Sequence, residues 1–321
     1  MQFKVSSLKE IDWSRYIVYI AFVIVFLFLS IWLGGRGFLS VNNVLNITRQ
    51  TSMITIMAVA MTFVIGAAQI DLSIGSIVAL SSLVCALLLR STNNIALALA
   101  ASVAIGIFVG AINGLLITKL GIPAFLATLG MMGIIRGIGM WITNMAAIVI
   151  TNETFNFVFG VGNIGGWFPV LLIWTVLFVV FGVILLNKTP FGKKTLAAGG
   201  NETAARFTGI NTSKVKLMTF IMSGAFAAFA GILYAGRMQA GRYTFGEGDE
   251  MSTIAAVILG GTSMAGGTGF VIGTLIGSLL MGMINNGLIL GGLSVSQQTI
   301  VRGVIIILAV ALSNVTRKKA N

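Results

Sequence analysis

The sequence contains no histidine, one cysteine, three prolines and few charged residues for a chain of 321 residues. Without histidine, the commonest general base and metal ligand is missing. The lone Cys85 can form no internal disulfide bond. Charged residues make up 9% of the chain. A soluble domain carries about 25%, so this sequence cannot supply the polar surface of a water-soluble protein.

Recognisable catalytic arrangements are also missing from the sequence. No Ser-His-Asp set, pair of catalytic carboxylates or metal-ligand cluster can be assembled, so we expect neither enzymatic activity nor a metal site. The glycine-rich stretch GGTSMAGGTG (260–269) lacks the lysine of a phosphate-binding loop. It is therefore interpreted as a turn between two apolar segments.

What the chain has in abundance is apolar sequence. Hydrophobic residues make up 57% of it, and the mean hydropathy is +1.02. Since an α-helix needs about 20 apolar residues to cross a bilayer, we predict an all-α polytopic membrane protein. The first apolar run follows Lys4, Lys9 and Arg15 but precedes no cleavage pattern, so it is interpreted as a retained span rather than a secretory signal.

We predict about ten transmembrane helices in a single domain, residues 1–321. The apolar runs lie near 16–33, 47–66, 74–89, 95–118, 123–141, 167–187, 217–236, 251–262, 270–290 and 297–314.

The distribution of lysine and arginine predicts the orientation of these helices. With a cytoplasmic N-terminus, thirteen of these residues fall on the inner side and five on the outer side, as the positive-inside rule requires. Both termini and the polar loop 188–216 are then cytoplasmic, and the loops 142–166 and 237–250 lie outside. This orientation also explains the net charge of +12 better than nucleic-acid binding does.

Two pairs of similar segments suggest an internal repeat. DLSIGSIVAL (71–80) resembles EMSTIAAVIL (250–259), and GAINGLLI (110–117) resembles GMINNGLIL (282–290). The two segments of each pair are five predicted spans apart. Because five is an odd number, the second half would be inverted across the membrane, as in many transporters. Chance similarity in a chain rich in glycine and isoleucine is the alternative.

Glycines at four-residue spacing predict close helix packing, because small residues let helix backbones approach within a membrane. The pairs are Gly106 and Gly110, Gly133 and Gly137, and Gly273 and Gly277.

Asp71 is the single acid flanked on both sides by predicted spans. An acid at membrane depth is a candidate ligand-pathway or ion-relay residue. Alternatively, Asp71 or Ser73 accepts the free N–H groups at the start of the third span. Arg136 and Arg302 also fall within apolar runs, where snorkelling or a buried partner is the expected arrangement.

The polar stretch GGNETAARFTGINTSKVK (199–216) interrupts the apolar sequence. Asn201 suits a helix N-cap, Glu202 can pair with Arg206, and Gly209 can end the helix. A short helix over about 202–208, with the small residues 203–205 on its surface, is predicted to dock in a groove of another protein. A solvated linker is the alternative.

Several stretches resemble the permease subunits of ribose-, xylose- and galactose-type ABC importers. They are IDLSIGSIVAL (70–80), GIPAFLATLGMMGIIRGI (121–138), the loop 187–216 and the segment 254–288. The similarity spans about residues 40–314. Gln69 departs from the family pattern, which usually has glycine there, so a difference in the local backbone is expected.

The resemblance implies a permease for a pentose or hexose in a bacterial inner membrane. Its partners would be a second permease copy or a close paralogue, a cytoplasmic ATPase with two nucleotide domains that binds ATP and Mg²⁺, and a periplasmic sugar-binding protein. The segment that touches the ATPase would contain Gly200, Asn201, Glu202, Ala205, Arg206 and Gly209. An ion-coupled secondary sugar carrier that uses Asp71 is the alternative.

Two further sets of residues are candidates for contact with substrate and partner. For the substrate pathway we expect Gln69, Asp71, Ser73, Asn113, Asn285 and Asn286. For docking of the binding protein we expect Arg237, Arg242, Glu247 and Asp249, because charges at a rim steer encounter.

Overall fold

A computed structural model describes residues 17–318, with thirteen α-helices in that range. The predictions for residues 1–16 and 319–321, including both termini, lie outside the described residues. The helices are α1 (Ile17–Leu33), α2 (Val41–Gly66), α3 (Ile74–Thr92), α4 (Ile95–Lys119), α5 (Ala124–Thr143), α6 (Glu153–Asn156), α7 (Val170–Lys188), α8 (Pro190–Gly200), α9 (Glu202–Phe207), α10 (Thr212–Met238), α11 (Asp249–Leu259), α12 (Val271–Leu290) and α13 (Val295–Lys318).

Within residues 17–318, eight helices are long and apolar enough to cross a membrane: α1 to α5, α7, α10 and α12. The prediction of an all-α polytopic membrane protein is confirmed. The eighth predicted span, 251–262, is not among these eight, because α11 has only 11 residues. At 1.5 Å per residue it reaches about 16 Å, roughly half of the hydrocarbon thickness.

The centre of the bundle is formed by α2, α3 and α10. Residues 51–66 of α2 are all buried. The helix α4 packs closely against α10, because Gly106 lies against the backbone of Gly224 and Gly110 against that of Phe220. Gly273 and Gly277 likewise pack on α11. These two glycine pairs confirm the packing prediction.

The third glycine pair does not fit that prediction. A Cβ atom added at Gly133 or Gly137 of α5 would meet no described atom within 4 Å. Gly130, one turn earlier on the same helix, is equally open. The open face of α5, defined here by these three glycines, therefore has no partner within the described part of the chain.

Polar side chains join α2 to α12 along most of their length. The amides of Asn43 and Asn286 exchange two hydrogen bonds, of 3.0 and 2.9 Å. Farther along the two helices, the hydroxyls of Thr55 and Ser278 lie 2.7 Å apart, and those of Thr62 and Thr274 lie 2.9 Å apart. Paired hydroxyls and amides satisfy polar groups that neither lipid nor an apolar core could satisfy.

Two short antiparallel ladders cover one end of the bundle. Strand β1 (Ile148–Val149) pairs with β4 (Ala240–Gly241), and β2 (Asn163–Ile164) pairs with β3 (Phe168–Pro169). The first ladder joins the loop after α5 to the loop after α10. The chain between α5 and α7 is thereby tied to the segment that leads into α11.

Candidate functional site

Two helices begin next to each other inside the bundle. α3 starts at Ile74 and α11 starts at Asp249. A Cβ atom on Gly75, in the first turn of α3, would collide with the carbonyl oxygen of Gly246 and with the carboxylate of Glu250. Gly248, at φ +79°, occupies the N-cap position of α11, in a left-handed conformation that glycine adopts without strain.

The start of α3 lies well inside the bundle, as its contacts with longer helices show. Ser73 accepts a hydrogen bond from Asn113 of α4. At a rise of 1.5 Å per residue, Asn113 lies about 9 Å from the C-terminal end of α4. Ser223, which bonds to Asp71, follows the start of α10 by about 16 Å. Helices that are broken at membrane depth form binding sites in many transporters.

Asp71 is the centre of a buried polar network and is fully shielded from solvent. Its Oδ1 atom accepts the backbone N–H of Ser73 at 2.9 Å and the Ser73 hydroxyl at 2.6 Å. Its Oδ2 atom accepts the Ser223 hydroxyl at 2.7 Å. The prediction that Asp71 or Ser73 caps α3 is wrong in detail. Ser73 occupies the N-cap position but makes no side-chain capping bond, and Asp71 bonds to the turn before the helix.

Of the six predicted pathway residues, the structure brings together Asp71, Ser73 and Asn113. The side chain of Gln69 bonds to neighbouring backbone, its Nε2 atom donating to the Ala68 carbonyl at 2.8 Å. Ala68 has a φ of +57°, so the departure at Gln69 does adjoin an unusual backbone conformation.

Asn285 and Asn286 do not join this group. Asn286 is paired with Asn43 of α2. The Oδ1 atom of Asn285 is buried and finds no hydrogen-bond partner among the described residues.

The start of α11 carries two shielded acids. The Tyr234 hydroxyl donates to Asp249 at 2.5 Å. Glu250 is 9% exposed, and its Oε2 atom has no hydrogen-bond partner within residues 17–318. The sequence predicts an outer loop over 237–250, and β4 and the first two residues of α11 lie within this range. Asp249 is bonded to Tyr234 inside the chain, which does not favour a role for it as a docking charge.

The predicted short helix is confirmed as α9. The side chain of Asn201 accepts the Ala204 N–H at 2.9 Å, as an N-cap does. Gly209, at φ +85°, ends the helix, and its N–H donates to the Arg206 carbonyl at 2.9 Å.

Ion pairs anchor α9 to the start of α10. Glu202 contacts Arg206 and Lys216, each at 2.7 Å, and accepts the Thr212 hydroxyl at 3.1 Å. The hydrogen bond from Lys216 is the main cause that lowers the pKa of Glu202, and partial burial opposes it. The predicted pair between Glu202 and Arg206 is thus present, and Lys216 extends it.

The expectation that Ala205 offers a contact surface is wrong. Ala205 is 3% exposed, because it faces the interior of the chain. The outer face of α9 instead carries Thr203, Ala204 and Phe207, and Phe207 is 88% exposed. The sequence contained a signal for Phe207, since it is the one large apolar residue in an otherwise small and polar helix.

The end of α8 touches the end of α2, which leads into α3, and the loop that follows α11. Gly199 lies directly on the backbone of Gly66, at the end of α2. Gly200 lies beside Gly267, and the Gly267 N–H donates to the Gly66 carbonyl at 3.0 Å. A displacement of α8 would therefore reach the connection from α2 to α3 and the connection from α11 to α12.

Comparison with known proteins identifies the family of the chain. A family model described as branched-chain amino acid transport system / permease component matches residues 43–310. The chain belongs to this permease family. The matched range contains the network around Asp71, the start of α11 and the whole α8–α9 element.

Individual relatives of this permease cover most of its length. The ribose import permease protein RbsC of Escherichia coli K12 is 42% identical over 288 residues, 87% of each chain. The protein of the same name from Bacillus subtilis is 42% identical over 285 residues, 88% of this chain and 87% of that one. The L-arabinose transport system permease protein AraH of E. coli K12 is 33% identical over 306 residues, 95% of this chain and 92% of that one. No solved structure matches significantly.

Proposed function

We propose that this protein is the transmembrane permease subunit of an ABC importer for a simple sugar, a pentose or hexose, in a bacterial inner membrane. The observation that supports this function most strongly is the 42% identity, over 87% of the chain, to a ribose import permease. An arabinose permease is also similar, so the sugar class is supported more strongly than any single sugar. ATP is then hydrolysed by a separate partner chain.

Within that function, we infer ten membrane crossings in two inverted halves, with both termini in the cytoplasm. The segment 240–259 would provide one crossing, because it combines a descent along α3, from Gly241 to Gly246, with the helix α11. Two similar segments open α3 and α11, and these helices begin side by side. An inverted repeat around a central site explains both facts.

The α8–α9 element is proposed to receive the motion of the ATPase. Its lysines and arginine favour the cytoplasmic side. Phe207 supplies an exposed aromatic group of the kind that anchors interfaces. The contacts of Gly199 with Gly66, and of Gly200 with Gly267, offer a route from this element to the segment before α3 and to the loop after α11.

The opposite end of the bundle is proposed to receive a sugar-binding protein. A cavity of about 650 Å³ lies there, lined by residues that include Arg90, Asn152 and Glu153. A neighbouring cavity of about 730 Å³ includes Arg242. Exposed charges of both signs would set the rate and register of docking.

An ion-coupled carrier is not favoured. The similar proteins include a ribose import permease and an L-arabinose ABC transporter permease. The acid that would carry a proton, Asp71, is already occupied by three hydrogen bonds.

Co-purification and ATP hydrolysis test the proposed function. The permease is expressed with an ATPase that has two nucleotide domains, and the complex is reconstituted with a ribose- or arabinose-binding protein. We expect a stable complex whose ATP hydrolysis rises when the binding protein carries its sugar. The proposal would be contradicted if the ATPase does not associate, or if the rate of ATP hydrolysis does not rise when the loaded binding protein is added.

A further inference from the structure

Glu247 is an exposed acid at an unexpected depth in the bundle. Its side chain is 70% exposed. The preceding residue, Gly246, lies against Gly75 in the first turn of α3, whereas Gly241 lies against Ser82. The chain from 241 to 246 therefore runs along α3 towards its buried start, and this descent covers about 10 Å at 1.5 Å per residue of α3.

Arg136 of α5 confirms this depth from a second helix. It precedes the end of α5 at Thr143 by about 10 Å and follows the start at Ala124 by about 18 Å. Its Nη1 atom donates to the Tyr243 carbonyl at 2.6 Å and lies 3.9 Å from Oε2 of Glu247. The Arg136 side chain is 19% exposed. The guanidinium is thus fixed by the backbone, and its pairing with Glu247 is loose.

Lipid is an unsuitable neighbour for this exposed carboxylate. Charged groups at membrane depth face a bundle interior or a water-filled cavity, because hydrocarbon cannot solvate them. The open face of α5 lies on the same helix as Arg136, and its glycines leave space free of side chains. Glu247 therefore requires water or polar material next to it, and the open face of α5 leaves room for such material.

We propose that Arg136 and Glu247 form a contact point for the sugar on its pathway through the membrane. The inference rests on the proposed function. It assigns Glu247 to the sugar pathway instead of to docking of the binding protein. A guanidinium offers five N–H donors and a carboxylate accepts several bonds, so the loose pair retains capacity for a ligand. The pair carries no net charge, which suits an uncharged polyhydroxylated molecule whose hydroxyls both donate and accept.

Thiol labelling in intact membranes tests whether this surface is aqueous. Cys85, the single native cysteine, is fully buried and provides a low background. Glu247→Cys and Gly133→Cys should react with a charged methanethiosulfonate at least roughly tenfold faster than Phe108→Cys, because the reactive thiolate forms in water and not in lipid. Phe108, 65% exposed on α4, is the lipid-facing control. Equal, slow labelling of all three would overturn the proposal.

Transport measured per ATP tests the role of the pair. In the reconstituted complex, Glu247→Gln and Arg136→Lys should keep capture of the loaded binding protein and its stimulation of ATP hydrolysis. Sugar taken up per ATP should fall roughly tenfold, since each variant weakens a charge-assisted hydrogen bond.

The outcomes of this assay are distinguishable. Weaker capture, with uptake and ATP hydrolysis falling in parallel, would assign Glu247 to docking and overturn the inference. Unchanged uptake per ATP would also overturn it. A wild-type complex with no ATP-dependent uptake would remove the proposed function, and this inference with it.

Discussion

Gly75 of α3 and Gly246, just before α11, are in backbone contact, with no room for a side chain between them. This contact joins the starts of two helices that lie far apart in the sequence. Because α3 and α11 both begin here, their relative position is set by a pair of glycines rather than by a hydrogen bond. The contact can be tested by adding a single methyl group.

Gly75→Ala is expected to destabilise the permease. The new methyl group would collide with the Gly246 carbonyl and the Glu250 carboxylate, and overpacking of this kind costs about 1–3 kcal/mol. Thermal unfolding in detergent can be followed by the exposure of buried Cys85 to a thiol-reactive dye. Gly35→Ala is the control, since its Cβ would meet no described atom within 4 Å. Equal midpoints of thermal unfolding for the two variants would show that the contact does not contribute to stability.

Phe207→Ala is expected to weaken association with the ATPase while leaving the permease correctly inserted. Phe207 is 88% exposed, so its loss removes no internal packing. Loss of an aromatic anchor from an interface costs about 2 kcal/mol or more, roughly a thirtyfold weaker affinity. Trp167→Ala, which removes an exposed aromatic at the opposite end of the bundle, should retain the ATPase. If both variants bind it equally well, α9 is a solvated linker.

Asp71→Asn is expected to keep most transport, whereas Asp71→Ala should not. Asparagine can accept the two bonds from Ser73 through its carbonyl oxygen and donate to the Ser223 hydroxyl, which can rotate. Alanine would leave these buried groups unpaired, at a cost of about 1–3 kcal/mol. Sugar uptake and thermal stability of both variants provide the measurement. An inactive but stable Asn variant would indicate that the charge itself is required, as ion coupling demands.

Glu202 predicts a dependence of stability on pH. Its pKa is lowered chiefly by the hydrogen bond from Lys216. The stabilisation is therefore present above the ordinary glutamate pKa and is lost as pH falls through the lowered value. Wild type should be more stable than Glu202→Gln at pH 7, and the difference should shrink below about pH 4. A constant difference across this range would mean that the ionised carboxylate contributes nothing.

The sequence was sufficient to predict the helices but not their depth. Hydropathy identified the long helices because apolar residues are required both by lipid and by a buried core. For the same reason it could not distinguish α11, an 11-residue helix, from a full span. In the segment that precedes α11, Gly241 and Gly246 are buried against α3, and these contacts depend on tertiary structure.

The site was predictable where its interactions are local. The capping of α9 by Asn201 and its end at Gly209 follow from residues close in sequence. The face of α9 that packs inward depends on distant elements, so Ala205 was placed on the wrong side. The pairing of Asn286 with Asn43 depends on the register of α12 against α2, which no local pattern reveals.

Energy coupling is the central claim, and uptake into proteoliposomes tests it most directly. The permease is reconstituted with its ATPase, and the sugar-loaded binding protein is added outside. We expect uptake of labelled ribose or arabinose that requires ATP within the vesicles, needs the binding protein and persists when a protonophore is added. Uptake that proceeds without ATP and collapses with the protonophore would contradict the account.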